Sequence, residues 1–294
     1  MSLLRAATLR VVDPAATARH YVEWFDYRIV EEGSVGRALA RSWGAPSVEG
    51  RRYVVLQPGS GAGVYLRMVA GEPVAGYEPL RTYGWAALEI CVSDVLAVER
   101  HLRQSPFRII GPPRAIEGLP TILPMQVMGL DREIVYLTEI RGDLPAYDLP
   151  RAIGLIDQLF ILVLACSDLD VSMNWFGRHI RLDLGRKMEI VYTMLAQAFG
   201  TPPDDRHTIA TLTHGRDVFL ELDQYPVQAT SRPSHAGDLP PGIALATLVH
   251  PEFDALRGPW IDAPRVYGGA IYGGRRAGTM RAPDGTLIEI VAAV

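Results

Sequence analysis

The chain contains one lysine, Lys187, among 29 basic residues. The sequence argues against a Schiff-base mechanism, and arginine carries almost all of the positive charge. Cysteine is nearly as scarce. Cys91 and Cys166 each sit inside an apolar, strand-like run, with neither zinc-type pairing nor the density of a disulfide framework. Two buried free thiols in a reducing compartment are expected. No apolar stretch approaches the length of a membrane span, and Met1-Ser-Leu-Leu-Arg-Ala-Ala-Thr lacks the apolar segment of a signal peptide. The expected location is cytoplasmic. A net charge of −4 gives no general attraction to nucleic acid or to an anionic membrane surface. The seven histidines form no close-spaced ligand pair, and there is no nucleophile elbow, Ser-His-Asp order or phosphate-cradling Gly-Lys-Ser/Thr.

What is present is the composition of a globular protein, 48% hydrophobic and 21% charged over 294 residues. That length suffices for one large domain or two ordinary ones. The organisation is repetitive. Closing strands read Val-Tyr-Leu-Arg67-Met, Ile-Val-Tyr136-Leu, Phe-Leu-Glu221-Leu and Leu-Ile-Glu289-Ile, and opening strands begin near Ala6, Ala87, Gln158 and Ala244. Matching positions in the two halves lie a nearly constant distance apart, about half the chain, as internal duplication leaves them.

Each unit reads as βαβββ. In the first, a strand near Ala7–Val12 turns at Asp13-Pro14 into an amphipathic helix, Ala15–Trp24, followed by strands at Tyr27–Glu31, Tyr53–Gln57 and Gly63–Val69. The second runs from Trp85–Val92 through a helix at Val95–Arg103 to Ile134–Ile140. Arg141–Arg151, with Gly142, Pro145 and Pro150, is the linker candidate. The third opens at Ile156–Leu164, starts a helix at Asp168, and is longer in the middle, where Glu189–Phe199 reads as an extra helix. The fourth has a strand at Ile243–Val249, a short helix at Glu252–Arg257 and a final hairpin turning at Pro283-Asp284-Gly285.

Four such units in series resemble the vicinal oxygen chelate superfamily, which includes glyoxalase I, type I extradiol dioxygenases, fosfomycin-resistance and bleomycin-binding proteins. The most specific pieces are Asp168-Leu-Asp170-Val-Ser172 with Trp175-Phe176, and Ala282-Pro-Asp-Gly-Thr-Leu-Ile-Glu289. The resemblance implies an α+β fold with four βαβββ modules in tandem, paired into two open cup-shaped sheets. The expected division is 1–142, a first pair of modules without metal, and 152–294, a second pair forming the active cup.

The resemblance also implies where a divalent ion would sit, with Gln158, Glu221 and Glu289 as ligands and Ala244 at the remaining position. Ten residues separate Gln158 from Asp168, against seven from Ala6 to Asp13, so the ligand position falls on Ile161 if those three residues are no insertion. Hard oxygen ligands suit Mn²⁺ or Mg²⁺, or Zn²⁺ if His250 joins from the rim. Fe²⁺ belongs to the ring-cleaving reading. His250 is also a candidate general base. Tyr267 and Tyr272, in the glycine-rich run 267–276, are candidates for closing over a substrate carboxylate or ring. Three readings stay open. The first is a metal-dependent isomerase or lyase acting on a small carbonyl or aromatic substrate. The others are an iron-dependent extradiol dioxygenase and a metal-free binder of the bleomycin-resistance type. The partner expected is a small molecule, with the chain as a monomer or homodimer.

Overall fold

A computed structural model describes residues 2–294. Module 1 comprises β1 (Leu4–Val11), α1 (Pro14–Phe25), β2 (Tyr27–Ser34), α2 (Arg37–Ser42), β3 (Arg52–Pro58) and β4 (Tyr65–Ala70). Module 2 comprises β5 (Gly84–Val92), α3 (Val95–Leu102), β6 (Arg108–Gly111), β7 (Ile122–Met128) and β8 (Ile134–Ile140). Module 3 comprises β9 (Ile156–Cys166), α4 (Leu169–Ile180), β10 (Asp183–Val191), α5 (Thr193–Phe199), β11 (Arg206–His214) and β12 (Asp217–Gln224). Module 4 comprises β13 (Gly242–His250), β14 (Arg265–Tyr267), β15 (Arg275–Arg281) and β16 (Leu287–Ala292).

The helix starts follow from local chemistry. Asp13, Asp94 and Asp168 are N-caps whose carboxylates accept from Ala15 and Ala16, from Ala97, and from Val171 backbone N–H groups. The helix expected at Glu252–Arg257 is only a single 3₁₀ turn, Phe253–Ala255. The one expected at Glu189–Phe199 divides: Glu189–Val191 ends β10, and α5 begins at Thr193. As a sheet-edge strand with both faces partly wetted, β10 shows no period-2 alternation, which explains the misreading.

The modules pair differently from the expected halves. One eight-stranded sheet has the order β14-β15-β16-β13-β1-β4-β3-β2, joining modules 4 and 1. The other runs β10-β11-β12-β9-β5-β8-β7-β6, joining modules 3 and 2. The divisions 1–142 and 152–294 are therefore not structural units, and each cup mixes both halves. Every opening strand offers a free edge, and unpaired backbone groups there need partners. The connection after β8, residues 141–155, delivers β9 antiparallel to β5, and β1 pairs with β13 in the same sense. The two chain crossings run together, linked by a parallel bridge between Thr82 and Thr230.

One core joins the sheets and helices, including Leu9, Tyr21, Phe25, Leu88, Phe107, Leu162, Phe176 and Ile290. Trp85 Nε1 donates to the Leu287 carbonyl at 2.8 Å, and the Tyr27 hydroxyl donates to the Asp157 carbonyl at 2.9 Å, tying one sheet to the other. Cys91 and Cys166 are buried free thiols. No helix among the described residues is long and apolar enough to cross a membrane.

Candidate functional site

Corresponding positions in the two cups are fixed by register. In the sheet of modules 1 and 4, parallel pairing sets Thr8 beside Arg67 and Thr247 beside Glu289. In the sheet of modules 2 and 3, it sets Glu89 beside Tyr136 and Val163 beside Glu221. Across the centre, Ala6 pairs with Thr247 and Ala87 with Val163, so the rows match position for position. The closing-strand residues singled out from the sequence, Arg67, Tyr136, Glu221 and Glu289, all lie on these rows.

The opening-strand positions fit less well. Ala6 and Ala87 lie opposite Thr247 and Val163, in phase with Thr8 and Glu89 but two residues short of them. Gln158, Ile161 and Ala244 are displaced from Val163 and Thr247. Register shifts that skip Phe160 and Ala244 put counting along β9 and β13 out of step. The row residue instead stands five positions before the residue that starts the helix or 3₁₀ turn, from 8 to 13, 89 to 94, 163 to 168 and 247 to 252. That spacing is constant across all four modules, and it was a signal available in the sequence for Glu89.

The cup of modules 1 and 4 is closed around an internal cation. Arg67 is 2% exposed and Glu289 fully buried. Arg67 Nε donates to Thr8 Oγ1 at 3.0 Å, Nη1 to the Tyr272 hydroxyl at 2.7 Å and Nη2 to Glu289 Oε2 at 3.4 Å. The guanidinium lies 4.4 Å from the ring centroid of Trp43. Glu289 Oε1 accepts from Trp43 Nε1 and from the Tyr272 hydroxyl, both at 2.9 Å, and Oε2 accepts from Thr247 Oγ1 at 2.9 Å. Every lone-pair direction of the carboxylate has a partner, and a cation already fills the place where a metal ion would bind. This arrangement satisfies the demands of a buried ion pair.

Only a cavity of about 180 Å³ remains above it, lined by Arg67, Tyr53, Tyr267 and Tyr272 among others. Tyr272 is thus a member of the closed network. Tyr267 sits at its rim, with its hydroxyl donating to the Ala38 carbonyl at 3.3 Å.

The cup of modules 2 and 3 is open. Its cavity, about 520 Å³, is in the range of small-molecule sites. Apolar side chains such as Ile122, Phe160, Ile190, Met194 and Ile209 form most of the wall. The expected linker supplies part of it through Leu144, Tyr147 and Leu149, held by a hydrogen bond between Tyr147 and Thr211 hydroxyls at 3.0 Å. The polar floor consists of Glu89, Glu221, Tyr136, Tyr192 and Thr138. The Tyr136 and Tyr192 hydroxyls are 2.9 Å apart, and Thr138 Oγ1 donates to Glu89 Oε1 at 2.6 Å. Behind them Asp223 is fully buried, and neither of its carboxylate oxygens has a hydrogen-bond partner.

No guanidinium or ammonium neutralises this cluster. Burial pushes the Glu89 carboxyl up to about 7. Asp223 is likewise raised to about 7 by burial. Glu221 is held well above the usual carboxylate range by burial, then by the neighbouring charges of Asp223 and Glu89. Glu221 is half-exposed, but what it faces is the cavity.

The ligand set expected from the sequence does not assemble. Glu221 and Glu289 belong to different sheets, and Gln158 lies outside the cavity lining. The row in the open cup has two carboxylates, a tyrosine whose hydroxyl is tied to Tyr192, and a valine. Among the described residues no three His, Cys, Asp or Glu side chains converge as a metal site. His250 faces neither cavity. It ends β13, fully buried, with Nδ1 accepting from the Glu252 N–H at 3.1 Å and its ring 6.0 Å from His214. Since Thr247 and Val249 point into their cup, strand alternation turns His250 away.

No family model and no curated protein matches the chain. Solved structures do. Glyoxalase I from Zea mays superposes with a TM-score of 0.64 at 18% identity, covering 99% of this chain and 92% of that one. A mutant of the same enzyme gives 0.66 over 98% and 93%. A putative dioxygenase from Bacillus subtilis gives 0.60 at 11% identity, over 99% and 85%. At these identities the likeness is one of fold.

Proposed function

With the fold of the vicinal oxygen chelate superfamily as the premise, we propose that the chain is a metal-independent enzyme working from the cup of modules 2 and 3. It would move a proton on a small, largely apolar substrate, in isomerase or lyase fashion. The observation that carries this reading is the pair Glu89 and Glu221, which stand on neighbouring rows of the same sheet and both line the floor of an apolar cavity with no cation beside them.

Two carboxyls so placed cannot both ionise cheaply, so one keeps its proton while the other gives it up near neutrality. Glu89, raised to about 7, has the basicity of a general base at working pH. Glu221, also held well above the usual carboxylate range by burial and by the charges of Asp223 and Glu89, is the partner placed to donate a proton to a developing oxyanion. The apolar walls lower the polarity around both. The divalent ion anticipated from the sequence, whether Mn, Mg, Zn or Fe, has no fitting donor set here, and no step is assigned to it. Iron-dependent ring cleavage loses support on the same ground, because no histidine stands on either row. Each cup is completed within one chain, so a monomer suffices.

The test is solvent deuterium incorporation, followed by NMR, into a panel of enolisable aryl ketones and hydroxyketones after exhaustive EDTA dialysis. Exchange that survives dialysis and is lost in Glu89→Gln and Glu221→Gln is the expected result. Exchange that appears only on adding Mn²⁺ or Zn²⁺ overturns the reading. The apolar wall favours sequestration as the second reading, and tight binding of panel members without exchange would select it.

A further inference from the structure

The two cups carry the same glutamate on the same row and balance its charge differently. In the closed cup Glu289 has Arg67 for a cation, Trp43 for an aromatic face and Tyr272 for a hydroxyl partner. In the open cup Glu221 takes the place of Glu289, Tyr136 that of Arg67, and Glu89 that of Thr8. The substitution removes the cation and adds a second carboxyl.

Asp223 adds a third. On β12, Leu220 and Leu222 pack into the core shared by the two sheets, whereas Tyr225 belongs to the cluster that lines the open cup. Alternation therefore puts Asp223 on the cup side with Glu221. Its two oxygens are sealed from solvent, meet no cation and stand beside Tyr192 and Glu221 without well-formed hydrogen bonds. The only positive side chains lining the cavity, Arg114 and Arg186, stand at its exposed rim with Glu117. The aromatic side chains Tyr136, Tyr192 and Phe160 line the cavity with these carboxyls. An acidic floor set among aromatic rings is a receptor for a cation with an apolar body.

We propose that the occupant of the open cup is an organic cation: a lipophilic amine whose ammonium group sits against Glu89 and Glu221, with Asp223 behind them, as the Arg67 guanidinium sits beside Glu289. This inference rests on the reading of that cup as the working site, and it names the substrate class. Seating the ammonium favours one ionised carboxylate, whose proton is released to solvent, and leaves the other carboxyl protonated for transfer.

Three near-isosteric probes of different charge test it by isothermal titration calorimetry at pH 7.5: 2-phenylethylammonium, 2-phenylethanol and 3-phenylpropionate. We expect the ammonium to bind at least about tenfold more tightly than the alcohol, a difference of about 1.4 kcal/mol, and the carboxylate not to bind measurably. In Glu221→Gln, and separately in Asp223→Asn, that preference should shrink several-fold while the alcohol binds as before, which also reports that each variant is folded. Equal binding of ammonium and alcohol by the wild type overturns the cation inference and leaves the cup as a neutral apolar site. Binding by none of the three overturns the reading of the cup itself.

Discussion

Nη2 of Arg67 and Oε2 of Glu289 lie 3.4 Å apart in a part of the molecule that solvent does not reach. Such a pair contributes little net stability compared with apolar residues of the same shape, but removing one member strands the other. Arg67→Met should therefore cost about 3–5 kcal/mol in urea denaturation, because Glu289 stays buried and loses its cation. The double variant Arg67→Met with Glu289→Gln should recover most of that loss. A single variant as stable as the wild type would show that Glu289 is neutralised by something other than Arg67.

The open cup imposes an opposite pH dependence from the usual acid denaturation. Glu89 titrates at about 7 in the folded chain against an ordinary 4.5. Between those values the native state holds a proton that the unfolded state has released, so stability falls as pH rises through this window and levels off above it. The penalty is bounded at about 3 kcal/mol for one such group. The groups that face Glu89 and Glu221 are Thr138, Asp223, Tyr136 and Tyr192, with Arg114, Arg186 and Glu117 at the rim. Glu133, buried elsewhere and also raised to about 7, gives a background slope of the same sign. The expected result is a thermal midpoint that declines from pH 5 to pH 7.5, with a shallower decline in Glu89→Gln. A wild-type midpoint rising over that range would contradict the protonated state of the floor.

Much of this molecule is legible from its residues, and the part that is not has identifiable causes. Arg67, Tyr136, Glu221 and Glu289 stand out because a charge or phenol interrupts an apolar strand, and burial makes such an interruption costly without a partner. The capping aspartates mark helix starts because a carboxylate before the first turn has unpaired N–H groups to accept from. Module pairing is a different kind of information. Whether β1 joins β5 or β13 depends on which edges meet after the crossings, and nothing local in β1 records it. Glu89 and Asp223 escape for a simpler reason: each stands two residues beyond the single position singled out on its strand, Ala87 and Glu221, in the same phase. Module pairing has the larger consequence for function, since it moves the candidate site from the C-terminal half to a cup shared by both halves.

Asp168 offers a direct check on the capping argument. Its carboxylate accepts from the Val171 N–H at 2.9 Å and is otherwise exposed. Asp168→Ala should lower stability by about 1 kcal/mol, whereas Asp168→Ser, which can cap in the same way, should cost only a few tenths. Chemical denaturation of the two variants separates a cap from a generic surface charge, for which both changes would be equally mild.

Blocking the open cup from a position that carries no charge distinguishes its volume from its acidity. Ile209 on β11 lines the cavity and pairs across the sheet with Met188. An indole at this position has about 520 Å³ of cavity in front of it, so Ile209→Trp can place its side chain inward without displacing the core. Stability should change by no more than about 1 kcal/mol, and the pH dependence set by Glu89 should persist because the floor is untouched. Binding of 2-phenylethanol and of 2-phenylethylammonium should both weaken by more than about tenfold, since the body of each probe loses its space. The matched control is Tyr267→Phe at the small cavity of the other cup, where only a long hydrogen bond to the Ala38 carbonyl is lost. That variant should leave probe affinity unchanged. If the tryptophan variant binds both probes as the wild type does, the ligand resides outside this cavity. The carboxyl cluster would then have to be explained by folding alone.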